Sequence, residues 1–238
     1  MAYIAYPNTN HISMNGIFNS SLGRKLILSI TGLFLMLFLL VHLSTNLLLL
    51  VGDGKLYNEA AHFLSTTPLL KAVEIMLALG FIFHIIYATI ITLKNRKARP
   101  VAYAKSGTNE LTSWASKNMY ILGFTILAFL VLHLINFFLK LRYGDVPSIS
   151  YDNGITQILN SYELVSEFFV AYWWYNLIYI ASAILLGLHL SHGFWSAFHT
   201  IGLNNIKWIE RLQVASYIYA AVIAIGFTII PLYFWFIH

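Results

Sequence analysis

The chain has no cysteine in its 238 residues. That excludes disulfides, thiolate nucleophiles and cysteine-ligated iron–sulfur clusters. Charge is scarce too: Asp, Glu, Lys and Arg make up 10% of the chain, against about 25% in soluble proteins. So little charge cannot cover a water-facing surface, and lipid must be the main solvent. There is no glycine-rich dinucleotide fingerprint and no phosphate-binding loop. A repeat of fixed period and a low-complexity tract are also missing.

What is present is hydrocarbon, at 59% of residues, with 16% aromatic. About 20 apolar residues cross a bilayer core of roughly 30 Å. Five stretches qualify: Leu26–Val51, Leu69–Leu93, Met119–Leu141, Trp173–Phe198 and Leu212–Phe236. The expected fold is all-α, one membrane domain over residues 1–238 built as a bundle of five transmembrane helices. The first 20 residues are polar and lack a short apolar core with a cleavage site, so they are expected to be a retained tail.

Loop charges suggest an orientation. With a cytoplasmic N-terminus, the inner segments hold Arg24, Lys25, Lys94, Arg96, Lys97, Arg99, Lys105, Lys117, Lys207 and Arg211. Only Lys55, Lys71, Lys140 and Arg142 fall outside, while Glu110 and Glu210 are the only inner acids. The positive-inside rule then puts the N-terminus in and the C-terminus out; the expected location is the inner (cytoplasmic) membrane of a cell. It also accounts for the net charge of +5 without nucleic acid. "YWWY" (172–175) and "PLYFWF" (231–236) suit an interfacial aromatic belt. In the long outer loop, "NSYELVSEFF" could lie as an amphipathic helix.

Nine histidines occur. His11, His62 and His238 are expected at the surface, and His199 closes span four at the inner interface. His42, His84, His133, His189 and His192 fall within the hydrocarbon. A single intramembrane histidine more often bonds a neighbouring helix than binds a metal. Here each of spans one to four carries one near its middle, and ionisable residues at that depth are functional candidates.

At 1.5 Å per residue, His42 and His133 stand about 24 and 21 Å above the inner ends of their spans. His84 and His189 stand about 14 and 13 Å above theirs. Two layers of two histidines result. Imidazoles facing each other across a bundle are what bis-histidine haem ligation requires, and such a site transfers electrons instead of binding oxygen. Each ligating ring needs its other N–H paired, by a helix carbonyl or a hydroxyl such as Ser44. Zinc or copper suits two-ligand layers less well. His192, one turn beyond His189, is either the alternative ligand or a partner for a haem propionate. The depth match with His84 favours His189.

With "SSLGRKLILSITGLFLMLFLLVH" at the start and "GLHLSHGFW" in span four, the chain resembles the cytochrome b membrane anchor of succinate:quinone oxidoreductases, the single-chain di-haem class that includes quinol:fumarate reductases. The resemblance covers the whole chain. It implies two haem b groups, the inner held by helices two and four and the outer by helices one and three. That matches the pairing by depth, His84 with His189 and His42 with His133. It further implies a flavoprotein and an iron–sulfur partner on the cytoplasmic face, with succinate or fumarate chemistry in the flavoprotein. Quinone, by family menaquinone, would react in this chain, and the complex could form a higher oligomer.

The resemblance also places Ser29 near the inner haem propionates. Glu59 lies close to where some relatives place an acid that accepts quinol protons, with Glu74 as rival, the latter able instead to pair with Lys71. Where some relatives carry a glutamate two residues before the span-four histidine, this chain has Gly187. A haem-free, histidine-lined proton or metal transporter is the alternative. It would space its histidines along one path, and such proteins often show inverted repeats and broken helices, neither of which is visible here.

Overall fold

The computed structural model describes residues 20–98 and 110–237. His11, His238, Arg99 and Lys105 lie outside the described residues. Five helical segments are long and apolar enough to cross a membrane. Helix α1 spans Ser21–Leu47 and ends in a 3-10 turn at Leu48–Leu50. The short α2 (Lys55–Thr66) leads into α3 (Pro68–Ala98). Next, α4 (Glu110–His133) passes through a π-helical segment, Leu134–Phe138, into α5 (Leu139–Tyr143). A two-stranded antiparallel hairpin, β1 (Ser148–Ile149) with β2 (Ile158–Leu159), precedes α6 (Ser161–Ala171). The long α7 (Trp173–Thr200) and α8 (Ile206–Ile237) complete the bundle.

Hydropathy located the spans, while at α1 a polar cap decides where the helix begins. Ser20 accepts a hydrogen bond from Gly23 N (2.9 Å), so α1 starts five residues before the apolar run. "NSYELVSEFF" does form a helix, α6, capped by Asn160. Helix α2 was not expected; it turns the presumed loop around Glu59 and His62 into ordered structure, with His62 half-buried.

Large side chains such as Leu37, Ile75, Phe124 and Ile218 point outward. In lipid they gain nothing by helix contact, so packing and polar bonds must hold the bundle. The most extensive contact is α7 against α8. A Cβ at Gly187 would stand 2.8 Å from the Ala224 Cβ and 3.3 Å from the Ala220 carbonyl. Only glycine permits this approach, and a glutamate there has no room. Ser216 Oγ donates to Ser191 O (2.9 Å) across the same seam, and Tyr219 donates to Met36 O (2.7 Å), tying α8 to α1.

The contacts fix an up-and-down arrangement. Gly80 faces Phe34 and Gly32 faces His84, so α1 and α3 are antiparallel. Gly123 faces His189 while His133 meets Tyr179, so α4 and α7 are antiparallel too. Helix α1 packs on α3 and α7, α4 packs on α7, and α3 only grazes α4. Around the bundle the order is therefore α1, α3, α4, α7, with α8 outside against α7 and α1.

Over one end sits a cap made of α2, the hairpin and α6. Asn58 is its buried pin: Nδ2 donates to Tyr151 Oη and to Asn160 Oδ1, both at 2.9 Å, and Oδ1 accepts from Tyr162 N (2.8 Å). Gly54 sits in a left-handed turn at φ +85°, and a Cβ there would collide with the Tyr162 ring.

Candidate functional site

The ring centres of His42 on α1 and His133 on α4 are 5.7 Å apart, with planes at 88°. Those of His84 on α3 and His189 on α7 are 6.5 Å apart, at 70°. Both pairs bridge diagonals of the bundle, between helices that do not pack on each other directly. Imidazole–metal bonds run about 2 Å, so two rings sharing one metal in line have centres about 6.3 Å apart. Both pairs fall close to that spacing.

Three helices give the separation of the layers independently. On α1, Gly32 lies beside the His84 ring (3.3 Å from a Cβ), and His42 belongs to the other pair. On α4, Gly123 lies beside the His189 ring (3.7 Å) and His133 belongs to the other pair. On α7, Tyr179 meets His133 while His189 faces His84. In each case ten residues separate the layers, about 15 Å along a helix. The heights inferred from apolar boundaries implied only about 7–11 Å. They were counted from helix ends that do not share a plane, because α1 begins early at Ser21 and α3 runs on to Ala98.

His192 does not join the inner pair. Its ring packs edge-on against Trp195 at 5.2 Å. His189 Nδ1, His192 Nδ1 and Trp195 Nε1 are all buried without hydrogen-bond partners. Ser29 is buried as well. Unpaired buried polar atoms cost roughly 1–3 kcal/mol each. A cluster of them at one layer suits a site for a group bearing polar oxygens.

Nitrogen partners differ between the rings. His133 Nδ1 is 3.4 Å from the Tyr179 hydroxyl. His84 Nδ1 is 3.5 Å from Thr31 Oγ1. At His42, Asn46 Nδ2 donates to the His42 carbonyl (2.8 Å) and faces Nδ1 at 3.3 Å. Ligation through Nε2 leaves a hydrogen on Nδ1, so there the Asn46 amide would have to turn its oxygen to the ring. Ser44, expected as such a partner, instead donates to Leu40 O (2.8 Å) and is exposed. Asn46, Thr31 and Tyr179 had no motif to mark them; being polar in apolar spans was their only signal.

Of the two acids, Glu59 stands on α2, half-exposed, 3.8 Å from Lys55. Glu74 is half-buried on α3 and makes no ion pair with Lys71. Lys25, Arg96, Lys97, Lys207 and Arg211 are exposed at the end of the bundle opposite the cap, and Arg24 is half-buried there. Outside the spans, burial pushes the Tyr57 hydroxyl up to about 12. Bonds from Thr156 and Ser150 hold the Asp152 carboxyl down at about 2.

Among the described residues, no three His, Cys, Asp or Glu side chains converge on one point. The arrangement offers two-ligand sites in two layers. Compared with known proteins, the chain matches no family model, no curated protein and no solved structure.

Proposed function

We propose that this chain is a di-haem b membrane anchor that carries electrons between a flavoprotein–iron–sulfur module and membrane quinone, as in succinate:quinone oxidoreductases. The observation that carries this reading is the geometry of the two diagonal histidine pairs. Each has the spacing of one shared metal, and about 15 Å of helix rise separates them. The resemblance at residues 20–42 and 187–195 is independent support.

In this reading His42 and His133 hold the outer haem iron, and His84 and His189 the inner. Bound in this way, bis-histidine haem supplies one-electron transfer with no open coordination position. The chain's own residues set the conditions. Phe38 stacks on His42 at 5.2 Å, and Phe129 and Phe137 flank His133 at 5.9 and 5.4 Å, excluding water from the outer pair. Gly32 leaves space at the His84 ring. Ser29 and His192 would accommodate propionates at the inner layer.

The N-terminus is cytoplasmic, with the basic end of the bundle facing the soluble partners in the cell's inner membrane. Quinone, by family menaquinone, reacts near the cap. Its redox change moves two protons with two electrons, and Glu59 exchanges those protons with outer water, Glu74 being the second choice. Succinate or fumarate chemistry belongs to the flavoprotein.

A visible spectrum of dithionite-reduced protein, purified from native membrane, tests the reading. It should show b-type bands at two haems per chain, copurifying with two soluble subunits. His42→Ala or His133→Ala should remove one haem, and His84→Ala or His189→Ala the other. A protein without b-type bands would point instead to a haem-free transporter. Both haems surviving in His189→Ala would move the fourth ligand to His192.

A further inference from the structure

The π-helical segment Leu134–Phe138 starts directly after His133. Such bulges interrupt the regular helix and are frequent at functional sites. Here it turns Asn136 and Phe137 inward on the turn following the histidine, and both are buried. Asn136 Nδ2 donates to Tyr175 Oη at 2.8 Å, and the Tyr175 ring stacks on that of Tyr179, centres 6.2 Å apart. The Tyr179 hydroxyl is 3.4 Å from His133 Nδ1. At the inner pair His189 Nδ1 has no partner, and His84 Nδ1 is 3.5 Å from the hydroxyl of Thr31.

We infer that Tyr179 is a positioning residue that sets the electron density of the outer pair through His133, and that Asn136, by fixing Tyr175 against the Tyr179 ring, holds Tyr179 in that role. The inference rests on the reading that His133 ligates iron. If Nε2 binds the metal, Nδ1 carries the hydrogen and must donate, so the Tyr179 oxygen accepts. Accepting that bond makes the imidazole a stronger donor and favours the ferric over the ferrous state. The outer site is therefore held at a lower potential than the same two rings would give unaided. The Asn136 amide acts through Tyr175, whose ring stacks on that of Tyr179.

The test is a redox titration of the complete membrane complex, followed at the haem bands and by low-temperature electron paramagnetic resonance. The outer component is identified as the one lost in His133→Ala. Tyr179→Phe keeps the ring among its aromatic neighbours and deletes only the oxygen. It should raise the outer potential by up to about tenfold in oxidised-to-reduced ratio, about 59 mV for one electron. The outer resonance signal should change with the freed ring, and the inner component should stay put. Asn136→Val, which keeps the Tyr179 oxygen, should shift the outer potential the same way by less. It decides the matter if Tyr179→Phe loses the haem. Two haems with both outer potentials unmoved would overturn the role of Tyr179 while leaving the haem reading intact. A wild-type complex without haem would overturn both.

Discussion

Replacing Asn58 by alanine should loosen the cap and leave the spans alone. Asn58 is 1% exposed and makes three side-chain hydrogen bonds of 2.8–2.9 Å. Each contributes about 0.5–1.5 kcal/mol net. Asn160 keeps its bonds to Glu163, so it is not orphaned. Tyr151 Oη and Tyr162 N lose their partners, although water can reach both half-buried residues. The local loss is then about 2–4 kcal/mol. Amide exchange in lipid nanodiscs reads it directly. Residues 55–66 and 158–171 should exchange roughly 30- to 900-fold faster, since 1.36 kcal/mol is tenfold. Amides of the five spans should not change. Asn58→Asp keeps the acceptor for Tyr162 N and should fall between wild type and alanine. Exchange in the cap accelerated less than about threefold, or acceleration spread evenly over the spans, would refute the idea that Asn58 pins the cap.

Glu59→Gln should abolish quinone-linked turnover while both haems and dye-linked succinate or fumarate chemistry persist; loss in Glu74→Gln alone would move the role to Glu74. Reversing Lys25, Arg96, Lys97, Lys207 and Arg211 together should weaken copurification of the soluble subunits with haem content intact. Because exposed charges are screened within about 8–10 Å, wild-type copurification that high salt leaves unchanged would remove electrostatics from the account. Burial raises the Tyr57 hydroxyl from 10.0 to about 12, so the neutral form stabilises the cap. That contribution, about 3 kcal/mol at most, is complete below pH 10 and lost as the pH rises through about 12. Cap exchange should therefore accelerate in that window, and a Tyr57→Phe variant showing the same acceleration would refute the assignment.

The five spans were legible because lipid demands long apolar helices, and that demand is written residue by residue. The two-layer grouping of His42, His84, His133 and His189 was legible for the same reason: a polar ring in hydrocarbon stands out by depth. The spacing of the layers was not, since it depends on how neighbouring helices slide past each other. That slide is set by contacts such as Gly32 on His84 and Gly80 on Phe34, which have no local signature. Helix α2 escaped notice because "KLYNEAAHFLST" is too polar for a span and lies where a connector was expected. The π-helical segment after His133 was equally hidden, for a single asparagine among the apolar residues of "LINFF" does not mark a change of helix type.

The histidine-free helix explains why the pairs can cross diagonals at all. Four helices packed closely around their own axis would bring α1 against α4 or α3 against α7 and leave no interior. Instead α8 takes the tight contacts. Gly187 lets it approach α7, and Gly226 lets it approach Leu43 on α1, where a Cβ would stand 2.7 Å from a leucine methyl. With α1, α7 and α8 locked together as a wall, α3 is fastened to α1 and α4 to α7. The two outer helices barely meet. The interior is therefore bounded by that wall on one side and by α3 and α4 on the other. The rings that close it are those of the two histidine pairs. In the proposed reading, the groups shared by His84 with His189 and by His133 with His42 tie α3 and α4 to the opposite side as well as carrying electrons.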